Sequence, residues 1–265
     1  MTTAVNSQVA ARALLQRRTM VVLTIMQVIG TVGVGVAPSI GVLLAGEVTQ
    51  NEAWAGLART ASTLGAALLG LPLGGFAARA GRRLALASGW WIAALGSALL
   101  VLAAQRSLVI PLFVGLLLIG AGAAASLQAR FAATDLAEPS HKGRALALIV
   151  WVGTIGSVLG PNLGVPGKIV GHHTGLTVYA SAFLIAAVFL ALAGLVVFIW
   201  LRPDPLLTLE AAASSHRTPG GPDSADMASS DMDSATPGVE DAIRSPAVRS
   251  ARRRGRIRRR PAPGR

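Results

Sequence analysis

Apolar residues along this chain do not alternate with polar ones. They gather in long uncharged or nearly uncharged stretches at residues 21–44, 55–77, 84–104, 107–129, 145–167 and 174–201. Each stretch approaches or exceeds the roughly 20 residues that an α-helix needs to cross about 30 Å of hydrocarbon at about 1.5 Å per residue. Lipid offers no partner to a loose peptide group, and the runs are too long and continuously apolar for barrel strands. The pattern therefore predicts an all-α polytopic bundle of six transmembrane helices over 19–201. A cytoplasmic segment, 1–18, is expected before it, and a disordered polar tail, 202–265, after it. The first run follows Arg12, Arg17 and Arg18, as the core of a signal peptide would, but it is too long for one and reads as a retained anchor.

Composition agrees: 52% of the 265 residues are hydrophobic, 14% are charged, and mean hydropathy is +0.58. That is more apolar surface than a water-soluble domain conceals. Of the 12 acidic residues only Glu47, Glu52, Asp135 and Glu138 precede Arg202, so an apolar body is followed by a polar end. There is no cysteine, which removes disulfides and thiolate metal sites.

Basic residues orient the spans, because cytoplasmic loops carry an excess of them. With the N-terminus inside, the inner face receives Arg12, Arg17, Arg18, Arg79, Arg82, Arg83, Arg130, Lys142 and Arg144, and the outer loops hold Arg106 and Lys168. Both termini are thus expected in the cytoplasm, in a plasma membrane. Trp54, Trp90, Trp91, Trp151 and Trp200 are read as an interfacial belt, with Trp151 placed deeper. Arg59 stands about one turn inside the second span and has two readings: snorkelling to the outer headgroups, or a charge facing a water-filled path. Among polar groups within the spans, Gln27, Arg59 and Asn162 are the preferred substrate-path residues. Gly33, Ala37 and Gly41 form a small-residue stripe on the first span.

Two motifs are more specific. The connection after the second span reads GGFAARAGRR, from Gly74 to Arg83, and the fifth run contains GTIGSVLGPNLG, from Gly153 to Gly164. In the first, Gly74, Ala77, Arg79, Gly81, Arg82 and Arg83 resemble the loop signature of the major facilitator superfamily. Ala78 stands where that family has an aspartate, part of a charge network that steadies the outward-facing state. In the second, Gly156, Gly160, Pro161 and Gly164 resemble the fifth-helix signature of the superfamily's drug/proton antiporter branch. The resemblance implies a six-helix half built as an inverted pair of three-helix units, with Pro72 and Pro161 interrupting corresponding spans. It also implies that the glycine face of the fifth span meets a helix of the other half. The proton-relay arginine and glutamine of the fourth helix are absent, since Leu116 and Ile119 align there.

Members of that family have two such halves and this chain reads as one, so the expectation is a half-transporter, or a truncated or frameshifted form, exporting small molecules. Its partners would be the lipid bilayer and a second copy or a separate C-terminal half. The rival expectation is a non-transporting remnant or accessory subunit. The arginine-rich end, RSARRRGRIRRRPAPGR, has three readings: a reading-frame slip, an anionic-lipid contact, and, least favoured, nucleic-acid binding, for which it lacks aromatic residues. No cofactor, metal-ligand set or catalytic constellation is expected. His172 and His173 are placed in a solvated outer loop.

Overall fold

In the computed structural model, residues 2–135, 137, 140–202 and 204 are described, with backbone only for 2–13 and 52. They all lie within the compact unit Met1–Ala213. The second unit, Ser214–Arg265, lies outside the described residues, and with it the arginine-rich end.

Among the described residues, eight α-helices account for the spans: α1 (Thr2–Val34), α2 (Val42–Thr49), α3 (Glu52–Ala80), α4 (Arg82–Arg106), α5 (Val109–Asp135), α6 (Lys142–Leu159), α7 (Gly164–Thr174) and α8 (Val178–Trp200). The first span is α1 and α2 joined by a π-turn at Ala37–Gly41. Pro38 has no N–H to give, and the Val36 carbonyl accepts from both Ile40 N (2.9 Å) and Gly41 N (3.4 Å), which widens the turn. The fifth span is α6 and α7 joined by a 3-10 turn, Gly160–Leu163, around Pro161. Pro72, by contrast, leaves α3 unbroken.

Six membrane-spanning segments result: Leu14–Thr49, Ala53–Ala80, Arg82–Arg106, Val109–Asp135, Lys142–Thr174 and Val178–Trp200. Most of them outrun the apolar stretches because helices continue into the headgroup layer, where water and lipid phosphates tolerate arginine and lysine. The connections shrink accordingly. Asn51 caps α3 by accepting from Ala53 N at 2.9 Å, Thr177 caps α8 by accepting from Ala180 N at 3.2 Å, and Gly175 turns the chain at φ +71°. His172 and His173 therefore occupy the last turn of α7 instead of a loop.

The packing has an internal symmetry. Span 3 packs on span 4 as span 6 packs on span 1, and span 2 packs on span 4 as span 5 packs on span 1. The pairs 2–3 and 5–6 correspond, as do 1–2 and 4–5. Exchanging spans 1–3 with 4–6 thus maps each of these contacts onto another, and the contacts of span 3 with span 6 and of span 1 with span 4 onto themselves. Successive spans cross in opposite directions, so corresponding members are inverted, as in repeat-built transporters.

Trp90 departs from the expected interfacial belt. It is fully buried, and its indole fills the space left by Gly30 on α1 and Gly122 on α5. Two small residues on facing helices make room for one large one, and packing of this kind replaces the hydrophobic effect between helices in lipid. Trp54 is on the surface beside Phe113, with ring centroids 5.6 Å apart, and Trp91 lies 5.3 Å from Phe198.

Candidate functional site

The glycine-rich motif of the fifth span is turned inward. Its residues face the first span: a Cβ on Gly156 would strike Thr31 Oγ1, one on Gly160 would lie 2.5 Å from both the Cα and the carbonyl carbon of Gly35, and one on Gly153 would approach Gln27 Nε2 at 3.2 Å. The expectation that this face awaits a helix from another half is thus corrected. Its partner is the first span of the same bundle, and the two backbones touch where Gly160 crosses Gly35, because neither residue carries a side chain. Gly164, farther along, has only Ile40 Cδ1 at 3.8 Å. The symmetric crossing joins α3 to α5, where Gly65 sits on the Leu117 carbonyl and Gly120 on the backbone of Ser62, Gly65 and Ala66. The stripe of Gly33, Ala37 and Gly41 finds its contact too, with Gly33 against Ala186 and Leu190 of α8 and Gly41 near Leu116 and Phe183.

The three preferred path residues are not brought together by any hydrogen bond or shared cavity among the described residues. Gln27 is 1% exposed and donates from Nε2 to Ser126 Oγ at 2.5 Å; its Oε1 is buried without a partner. It is packed among spans 1, 4 and 5 and does not line an opening. Asn162 is exposed, and its Nδ2 donates to the Val158 carbonyl at 2.9 Å, serving the backbone beside Pro161. Arg59 alone lines a cavity, a groove of about 480 Å³ between α3 and the π-turn, walled by Pro38, Val42, Ala55, Gly56, Thr60 and Thr63.

At one end of the bundle the motif around Gly81 forms a one-residue reversal between α3 and α4. Gly81 has φ +89°, a conformation that side-chain-bearing residues avoid, and its N–H donates to the Ala77 carbonyl at 3.0 Å. Gly74 lets Gln128 approach: a Cβ there would be 3.1 Å from Nε2. Arg82 reaches across to α5, donating from Nε to Asp135 Oδ2 at 2.9 Å and from Nη1 to Gln128 Oε1 at 3.1 Å. Both ends of this ion pair are about 15% exposed, so water screens it less than a surface pair. Arg83 donates from Nε to the Phe198 carbonyl at 2.7 Å and lies 4.4 Å above the Phe198 ring. Arg79 and Ala78 are exposed.

Ala78 leaves no acid within the motif, yet an acid arrives from elsewhere. Asp204, just past the sixth span, accepts from Arg82 N at 3.2 Å and from Arg83 N at 2.8 Å. It caps the N-terminus of α4, where unpaired N–H groups and the helix dipole favour negative charge. Its carboxylate also fills the space a side chain at position 81 would need. Asp204→Ala is expected to cost about 1 kcal/mol of stability, with Asp204→Asn losing less because an asparagine still caps; thermal unfolding in detergent measures both. The functional weight of Asp204, Asp135 and Gln128 was not legible in the motif itself. The available signal was topological, since acids at 135 and 204 sit on the same membrane face as the arginine-rich hairpin.

With this geometry in hand, comparison with known proteins is decisive: the profile of the Major Facilitator Superfamily matches residues 20–261. The chain belongs to this superfamily. It is 37% identical over 207 residues to an uncharacterized MFS-type transporter of Bacillus subtilis, YdeG, covering 78% of this chain and 48% of the relative. A second B. subtilis MFS-type transporter, YddS, is 35% identical over 203 residues, covering 77% and 47%. The riboflavin transporter RfnT of Brucella anthropi is 33% identical over 150 residues, covering 56% and 37%. The chain thus spans about half the length of the first two relatives. No solved structure gives a significant match. Superfamily membership and six apolar helices make this a multi-pass membrane protein of a transporter family.

Proposed function

We propose that this six-helix domain is one of two helix bundles that carry a small molecule across the plasma membrane by alternating access, in the direction of export. The observation that carries the reading is the contrast between spans. In the apolar windows of spans 2 and 5, 17% and 28% of residues are buried, against 39–56% in the other four. Leu64, Leu68 and Leu71 on α3, and Trp151, Val158 and Val165 along the fifth span, are bare. They offer a second bundle, whether a second copy or a separate C-terminal half, two apolar faces to rock against. The fifth-span signature, resembling that of drug/proton antiporters, favours export, and the basic residues near the inner ends of the spans favour cytoplasmic termini. The hairpin network of Arg82, Asp135 and Asp204 would steady one of the two states.

The test is expression of the full chain in efflux-deficient bacteria. Tolerance to a panel of dyes and drugs is measured, together with uptake of the same compounds and riboflavin into membrane vesicles. Raised tolerance with saturable uptake is expected, and Gly160→Leu should abolish both. Unchanged tolerance and no uptake, despite confirmed insertion, would count for a non-transporting protein.

A further inference from the structure

The groove beside Arg59 has a chemistry of its own. The Trp54–Phe113 pair marks the outer interfacial layer, and Arg59 lies five residues farther along α3, about 7.5 Å deeper at about 1.5 Å per residue. Ala55, Gly56 and Thr63 are its neighbours three and four residues away, so they share its helix face. Opposite stand Pro38 of the π-turn and Val42, the first residue of α2, which line the same space. Turns of this kind interrupt helices at functional positions more often than chance.

Charge in the groove is unbalanced. Among the described residues no acidic group pairs with the Arg59 guanidinium, and the one ion pair, Arg82 with Asp135, is at the other end of the bundle. The neighbouring hydroxyls are oriented too. Thr60 Oγ1 donates to the Gly56 carbonyl at 3.2 Å and Thr63 Oγ1 to the Arg59 carbonyl at 3.1 Å. With their protons committed to the backbone, both oxygens present lone pairs and accept from whatever enters. The guanidinium offers a fork of donors that matches a carboxylate, and Pro38, Val42 and Ala55 supply an apolar wall.

We infer that this groove binds a small organic anion, a carboxylate or sulfonate with an adjacent hydroxyl or N–H donor and an apolar body. The anionic group lies on Arg59 and the donor on Thr60 or Thr63. This deepens the transport reading and rests on it for the site's role, while the binding itself is testable without transport.

Because the chain has no cysteine, one introduced thiol reports on the groove alone. Ala55→Cys, placed in the full chain with and without Arg59→Gln, is reconstituted in phosphatidylcholine vesicles. It is labelled with the sulfonatoethyl and the trimethylammonioethyl methanethiosulfonates; in each reaction the thiolate forms a mixed disulfide and methanesulfinate leaves. Any effect of Arg59 on thiolate fraction accelerates both reagents alike and cancels in their rate ratio. The anionic-to-cationic ratio is expected to be about tenfold higher with Arg59 than in the Arg59→Gln background, and to be kept by Arg59→Lys. Salicylate, which carries a carboxylate and a hydroxyl, should slow labelling severalfold, and neutral salicylamide should not. Protection that is absent, equal for salicylamide, or unchanged by Arg59→Gln overturns the inference. So does an anion preference seen in maltoside micelles but lost in the vesicles, because a lipid phosphate then holds the arginine. Arg59 is exposed, so its replacement should leave the size-exclusion profile intact. Salicylate protection without transport would leave the site standing and sink the transport reading; transport without Arg59-dependent salicylate protection would do the reverse.

Discussion

Gly160→Leu is expected to prevent the domain from folding. The ideal Cβ position at 160 is 2.5 Å from two backbone atoms of Gly35, and backbone cannot step aside by changing rotamer. Overpacking a core typically costs about 1–3 kcal/mol when side chains can adjust; here two spans must separate, and the loss should exceed about 3 kcal/mol. Gly156→Leu should behave alike, because its Cβ would occupy the place of Thr31 Oγ1, which is itself bound to the Gln27 carbonyl at 2.6 Å. Gly164→Leu is the informative control, since only the flexible end of Ile40 stands nearby, at 3.8 Å. Size-exclusion profiles and melting curves in detergent should show Gly164→Leu near the parent and the other two aggregated or melted far earlier. Equal behaviour of all three would mean that this crossing does not hold spans 1 and 5 together.

The second large effect is expected at the ion pair between α4 and α5. Asp135→Ala leaves the Arg82 guanidinium partly buried with Gln128 as its remaining side-chain partner, and stability should fall by about 3 kcal/mol. Asp135→Asn retains an acceptor and should cost less. The double variant Arg82→Ala/Asp135→Ala should recover part of the loss, because no orphan charge remains, giving a coupling of about 1–3 kcal/mol in a double-mutant cycle. Denaturant unfolding of the four proteins in one detergent measures it. If the single losses simply add, the two side chains contribute independently and the contact does not couple the hairpin to α5.

What the sequence disclosed, and what it hid, follow from the same physics. Length and continuity of apolar runs are one-dimensional properties, so all six spans could be read directly. Span ends could not, because helices persist into the headgroups and stop at local features such as the caps at Asn51 and Thr177 and the turns at Gly81 and Gly175. Motif glycines were legible as positions of close approach but not as to what approaches. The stripe at 156 and 160 fits α1 because Gly35 and Thr31 happen to face it, a pairing across more than a hundred residues. Trp90 was misplaced for a similar reason: nothing local distinguishes a belt tryptophan from one that fills the room left by Gly30 and Gly122. Among the site residues, Arg59 kept both of its readings in the sequence, which could not show the groove that the structure places beside it. Gln27 and Asn162 looked alike as intramembrane amides, yet one is sealed at a helix crossing and the other serves the backbone at Pro161.

The carboxylate at 204 makes the Gly81 hairpin and the exit of the sixth span a single mechanical joint. Asp204 holds the first two amides of α4, while Arg83 holds the last turn of α8 through the Phe198 carbonyl and ring. A displacement of the hairpin therefore pulls on Asp204 and on the last turn of α8 together, and a pull on Asp204 is delivered to the first turn of α4.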